Sequence, residues 1–266
     1  MKLLKENYED LPELKKLPRY LKKFLSKPEV QEALKDFNIE SLYNLYVVYI
    51  KDNWVGDPSI LTRLLNTLNI DTLNYLDYVP DYFLCGSEIK SIIIPNHIKS
   101  IGHDAFCECS SLTSITIPDS VTSIGGSAFL KCSSLKNITL PSSITNINRE
   151  TFAECSGLTS IIIPDSVMSI GDYAFFRCSN LKSIKIPNSV TSIGEQALYS
   201  CTGLTNVIIP DSVTSIGYDA FGYCVMLTQI KYMGTIYQWS KIHFKDEWNK
   251  DSPIKTIHCV DGDITL

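Results

Sequence analysis

No run in this chain approaches the ~18 consecutive apolar residues of a membrane-spanning helix, and the opening MKLLKENYED lacks the apolar core of a secretory signal. Neither a membrane span nor export is expected, and the chain reads as cytoplasmic. An excess of positive charge is missing too. With 24 Lys and Arg against 29 Asp and Glu the net charge is −5, and residues 1 to 80 hold 11 basic and 12 acidic side chains, so nucleic-acid binding is disfavoured. There is no glycine-rich phosphate loop, no HExxH, no nucleophile elbow and no paired Cys/His ligand set. The four histidines, His97, His103, His243 and His258, are scattered. Catalysis, a cofactor and a bound metal are all unexpected.

What is present is a period. Pro95, Pro118, Pro141, Pro164, Pro187 and Pro210 fall 23 residues apart, and Cys109, Cys132, Cys155, Cys178, Cys201 and Cys224 keep the same step. A constant period of this size means one unit copied and stacked, each copy burying its apolar edge against its neighbours. The unit is clearest in LTSITIPDSVTSIGGSAFLKC, Leu112 to Cys132, with Leu112, Ile115, Ile117, Val121, Ile124, Ala128 and Phe129 as its apolar positions. The Ile115-x-Ile117 alternation predicts one short parallel strand per turn, ended by the proline, which cannot donate to a ladder. Val121 and Ile124 then point inward on a second side. Gly125, Gly171, Gly194 and Gly217, with Asn148 in the third copy, mark a turn that wants either positive φ or a close backbone approach.

The first apolar residues Ile89, Leu112, Leu135, Leu158, Leu181, Leu204, Leu227 and Ile254 predict eight strands. At ~4.8 Å per rung their face runs about 34 Å. The ends need caps. Trp239, Ile242, Phe244 and Trp248 are placed to cover the last rung, before Ile254, Ile257 and Cys259 close it. The six periodic cysteines form an inward column beside Phe106, Phe129, Phe152, Phe175, Leu198 and Phe221, which makes them packed thiols rather than disulfides or ligands. Cys107 and Cys109 make only a Cys-x-Cys pair, too little for zinc. Cys85 and Cys259 stand outside the column and are open to oxidation if exposed.

The IPDSVTSIG…AF…C copies and the ending GTIYQWSKI…IKTIHCVDGDI resemble the BspA-like branch of leucine-rich repeats over about residues 81 to 266. The resemblance implies a curved right-handed solenoid acting in adhesion or protein recognition, with no catalytic residues to carry over. The expected class is α+β: a solenoid with a parallel sheet of about eight short strands, residues 81–230, between a helical N-terminal domain or cap, 1–80, and a C-terminal capping segment, 231–266.

Residues 1–80 carry helical punctuation. Pro28 and Pro58 look like helix starts and Asp57 and Asp71 like N-caps. Leu11, Leu14, Leu17, Leu21, Phe24 and Leu25 give an apolar stripe interrupted at Pro18. Lys15, Lys16, Arg19, Lys22, Lys23 and Lys27 lie opposite it, and Ser41 to Ile50 reads as a core helix or a strand. Val79 and Phe83 already fall near the repeat register.

If the function is recognition, variable positions carry it. On the strand face Lys182, Lys185 and Lys231 make a mildly basic C-terminal half suited to an acidic partner. On the opposite turns Tyr173, Phe176, Tyr199, Tyr218 and Tyr223 collect, with Phe176 and Tyr199 stacked on successive rungs as an apolar ridge. The leading expectation is a non-enzymatic, intracellular module that binds another protein, of the kind a phage or parasite uses to inhibit a host factor, and that is monomeric alone because its ends are capped. A surface adhesin or fibre component is the alternative, and an N-terminal domain with its own nucleic-acid or catalytic activity a third.

Overall fold

The computed structural model describes residues 23–35 and 72–266. The leucine stripe up to Leu21, the basic residues up to Lys22, the Ser41–Ile50 segment and the expected caps Asp57 and Asp71 lie outside the described residues. Helix α1, Pro28–Lys35, does begin on a proline, whose missing N–H costs nothing at a first helical position. Phe24, Leu25, Val30 and Ala33 are buried in the same apolar cluster as Val79, Phe83 and the repeat core.

The repeats stack into a solenoid with two rows of strands. The first row is β2 (Ser91–Ile93), β4 (Ser114–Thr116), β8 (Ser183–Lys185), β10 (Asn206–Ile209), β12 (Gln229–Tyr232) and β14 (Thr256–Cys259). Thr139 and Ile162 supply the two middle rungs as a single parallel bridge. That makes the eight rungs expected, but in two separate ladders with an isolated bridge between them rather than one continuous sheet. The proline leaves only one to four residues per rung free to pair, so a small misalignment reduces a strand to a bridge.

The second row is β1 (Tyr78–Val79), β3 (Ser100–Ile101), β5 (Ser123–Ile124), β6 (Asn146–Ile147), β7 (Ser169–Ile170), β9 (Ser192–Ile193), β11 (Ser215–Ile216) and β13 (His243–Phe244). Each is two residues long with one side chain inward, and the row was read from sequence only as an inward-pointing side. It breaks between β5 and β6, where Asn148 stands in the glycine column. In other rungs the glycine N–H donates to the preceding rung, as Gly125 does to Ile101 O at 2.8 Å and Gly194 to Ile170 O at 2.8 Å. Here the Asn148 side-chain amide takes that role, donating to Ile124 O at 2.6 Å. Thr151, where neighbouring rungs have alanine, donates to Asn148 O at 2.8 Å.

The glycine column needs closeness, not positive φ. A Cβ on Gly125 would lie 2.6 Å from the carbonyl carbon of Gly102, and one on Gly217 2.5 Å from that of Gly194. The left-handed residues come later, in two further columns. One is Asp104, Ser127, Glu150, Tyr173, Gln196 and Asp219, and the other is Glu108, Lys131, Glu154, Arg177, Ser200 and Tyr223. Their amides aim along the stack and donate to the next rung, as Tyr173 does to Glu195 O at 2.8 Å and Arg177 to Tyr199 O at 2.8 Å. Satisfying those amides sets φ at the corner whatever residue is present.

Inside, Phe106, Phe129, Phe152 and Phe175 stack with centroids 5.5, 5.5 and 5.6 Å apart. Beside them each periodic cysteine donates to a carbonyl of the preceding rung: Cys132 to Phe106 O at 3.1 Å, Cys155 to Phe129 O at 3.0 Å, Cys178 to Phe152 O at 3.1 Å. A small apolar residue with a donor is what the column requires. At the C-terminal end α2 (Ile236–Trp239) is held by a capping box between Thr235 and Gln238. Trp239, Phe244 and Trp248 pack on one another and on Tyr232 and Phe221. Strand β15 (Gly262–Thr265) then folds back antiparallel on β14.

Candidate recognition surfaces

The corner between the two left-handed columns faces outward, and its residues do not repeat. One position along the stack reads Cys107, Leu130, Ala153, Phe176, Tyr199, Gly222. Phe176 and Tyr199, one rung apart, stack face to face with centroids 5.4 Å apart and planes at 10°. Tyr173 meets the edge of Phe176 at 5.8 Å, and Tyr223 tilts onto Tyr199 at 5.2 Å. Four of the five expected aromatics thus form one continuous ribbon across three rungs, half-buried except for Tyr223, which is exposed.

Acidic residues on neighbouring rungs fix the phenols. Tyr173 donates to Glu195 Oε1 at 2.9 Å, which together with burial raises the phenol pKa. The Tyr223 phenol is held up in the same way by its hydrogen bond to Asp251. Tyr218 does not join the ribbon: it lies one column away and donates to Glu247 Oε2 at 2.8 Å, because its position shares the column of Arg149, Asp172 and Glu195. The Glu247 carboxyl is held below its usual value by Lys250 and then by Tyr218.

Two guanidinium groups that the sequence reading did not single out cover the other end. Arg149 lies 4.6 Å over the Tyr173 ring and pairs with Glu150 at 3.0 Å, and Arg177 lies 4.9 Å over Phe176. Arg177 also ends a charged column, Glu108, Lys131, Glu154, Arg177, that lines a groove beside the ribbon together with Ser133 and Ser156. Lys131 and Glu108 in it pair at 2.8 Å. The signal was in the sequence as opposite charges 23 residues apart, which the period turns into neighbours.

The expected basic residues sit elsewhere. Lys185 on β8 and Lys231 on β12 flank Ile208 of β10 on the strand face, exposed, with Lys182 nearby. That face is not purely basic or polar: Ile93 and Ile162 are 76% and 81% exposed on it, and His258 lies between Gln229 at 3.0 Å and Asp263 at 2.8 Å. The eight candidate residues therefore fall on two separate surfaces. Among the described residues no helix is long and apolar enough to cross a membrane, and no cluster of three side chains could hold a metal.

Comparison with known proteins agrees with this architecture. The solved leucine-rich repeat protein from Bacteroides ovatus is 38% identical with a TM-score of 0.51, over 53% of this chain and 39% of its own. The chain thus spans well under half the length of that relative. The T. pallidum leucine-rich repeat protein is 26% identical with a TM-score of 0.52, over 57% of this chain and 79% of its own. No curated protein sequence matches. The model of the BspA type leucine rich repeat region matches residues 77–178 and 122–252 with six copies, more than half of the chain, and the chain belongs to that family.

Proposed function

We propose that the chain is a non-enzymatic protein-recognition module whose partner lies on the aromatic ribbon Tyr173, Phe176, Tyr199 and Tyr223. Leucine-rich repeats of this kind typically mediate protein recognition or adhesion. The observation that carries the ribbon is its pre-organisation. Ring stacking and the tyrosine–carboxylate bonds fix these side chains before a partner arrives, which lowers the ordering cost of binding, and tyrosine is a favoured hot-spot residue. The strand-face lysines Lys182, Lys185 and Lys231 act at most as a second contact. Action inside the cell is supported by the cysteine column, which uses its thiols as internal donors, a state that a reducing compartment preserves. The short, charged hairpin of β14 and β15 over the last rung supports a monomer.

The test pairs two variants. Full-length chain immobilised in host or source lysate is compared with Phe176→Ser/Tyr199→Ser and with Lys185→Glu/Lys231→Glu, after circular dichroism has verified that each is folded. Loss of the bound protein, by tenfold or more in affinity, is expected only for the aromatic pair. Retention by that pair with loss from the lysine pair moves the site to the strand face.

A further inference from the structure

The outward column that carries Phe176 and Tyr199 begins, at the other end of the stack, with two cysteines. Cys85 and Cys107 occupy equivalent positions on the first two rungs. The amides on either side of Cys85 donate to the second rung in the register that later rungs repeat: Leu84 N–H to Ala105 O at 2.7 Å and Gly86 N–H to Cys107 O at 2.7 Å. Equivalent residues one rung apart are separated by ~4.8 Å. That lies inside the ~4.4 to 6.8 Å between Cα atoms that a disulfide bridges. The Cys107 and Cys85 side chains already share a hydrogen bond.

Their surroundings differ from those of the periodic column two residues on. Cys109, Cys132, Cys155, Cys178, Cys201 and Cys224 are fully buried and donate to carbonyls, and burial pushes Cys155 and Cys224 up to about 12. Ser87 continues that column into the first rung, 3.6 Å from the Cys109 sulfur. Cys85 is only half-buried and Cys107 lies behind it, 8% exposed. Asp104, whose carboxylate accepts a hydrogen bond from Cys107, has its pKa raised by burial, so it holds a proton more readily than an ordinary carboxylate.

We propose that Cys85 and Cys107 form a dithiol site that a small disulfide of the glutathione type converts into an inter-rung disulfide. The Cys85 thiolate attacks one sulfur of the reagent, forming a mixed disulfide and expelling one glutathione thiolate. Cys107 then gives its proton to Asp104, and its thiolate attacks the Cys85 sulfur. The second glutathione leaves as a thiolate, and both leaving groups are protonated by the two protons lost from the cysteines. Two protein thiols are oxidised and one glutathione disulfide is reduced to two thiols. The order follows from exposure: Cys85 is half-buried and meets the reagent first, whereas Cys107 is 8% exposed and reacts only with the neighbouring sulfur. The product staples the first rung, with the apolar contacts of Val79 and Phe83, to the rest of the array.

The experiment incubates the full chain with oxidised glutathione at pH 8, blocks remaining thiols with an alkylating agent, and maps peptides by mass spectrometry without reduction. The expected result is a Cys85–Cys107 cross-link lacking two hydrogens, two glutathione molecules released per chain, reversal by dithiothreitol, and alkylation of the periodic cysteines only after unfolding. A Cys107→Ser variant should stop at the glutathione adduct on Cys85. Wild-type chain that also ends as that adduct, or that keeps both thiols, overturns the proposal. This decisive reading needs no variant to fold.

Discussion

Phe175 and Phe176 are adjacent in the chain and opposite in what they obey. The inward column Phe106, Phe129, Phe152, Phe175 keeps one ring type, and its stacked planes lie within 11° of parallel. The next column outward changes at every rung, from Cys107 through Ala153 to Gly222. An inward ring must fit a copy of itself above and below, so a change in one rung is felt in two. The larger members of the outward column, Leu130, Phe176 and Tyr199, have one packed side and one side in water, and no identical neighbour dictates them. Constraint in this molecule is therefore set by which neighbour a residue meets along the stack, and position in the sequence says little about it.

That contrast can be broken most severely at Phe152. Phe152→Ala should cost about 3–5 kcal/mol, because the cavity has a rigid ring on each side, whereas Phe176→Ser should cost about 1 kcal/mol, the scale of one stacked aromatic pair. Urea unfolding of both measures the difference, and equal losses would mean that the outer ribbon is part of the core.

Gly125 and Gly126 sharpen it on the backbone. A Cβ on Gly125 meets backbone at 2.6 Å, whereas one on Gly126 has its nearest atom at 3.1 Å. Gly125→Ala should lose about 3 kcal/mol by overpacking, and Gly126→Ala, where the buried Cβ meets nothing closer than the Arg149 backbone oxygen at 3.1 Å, about 1 kcal/mol. Because the third rung holds Asn148 with Thr151, the double change Gly125→Asn/Ala128→Thr should recover part of the loss.

The smallest effect is a gain. Asp219 is 5% exposed and its Oδ1 has no hydrogen-bond partner, and burial raises its pKa. The folded state thus favours the protonated acid, so the contribution of this group is most favourable below its unfolded pKa of ~3.9 and is lost as pH rises through the higher folded value. Asp219→Asn should add about 1 kcal/mol at pH 7, the scale of one unsatisfied buried polar group. The gain should vanish in thermal melts near pH 3, and a gain independent of pH would remove the explanation.

The strand positions, the proline stops, the buried cysteines and the tryptophan cap were legible because each is a repeated or strongly apolar residue whose environment follows from its type. The second row was not, since Ser123–Ile124 offers one inward residue and two residues cannot display an alternation. Of the two demands left open at the glycine column, close approach is the one Gly125 meets, and positive φ occurs instead at Ser127 and Glu150. It is imposed there by amides bonded to the next rung, a cause that no local preference reveals. Within the candidate site, Phe176 with Tyr199 could be read from the period. The carboxylates that hold the ribbon, Glu195 and Asp251, could not, because Tyr173 to Glu195 spans 22 residues and Tyr223 to Asp251 crosses the longer final turn.

Because backbone bonds between rungs, and not glycine, hold the left-handed corner, the corner accepts Glu, Lys, Arg, Ser or Tyr with the same main-chain path. The outer edge is thus a rack of interchangeable slots at a pitch of ~4.8 Å, each filled by one residue in every 23 of the chain. Duplicating or deleting one unit slides every later slot by one pitch without rewriting any of them. A lineage carrying this fold can therefore change what it grips by shuffling whole copies, faster than point substitution could rebuild a surface.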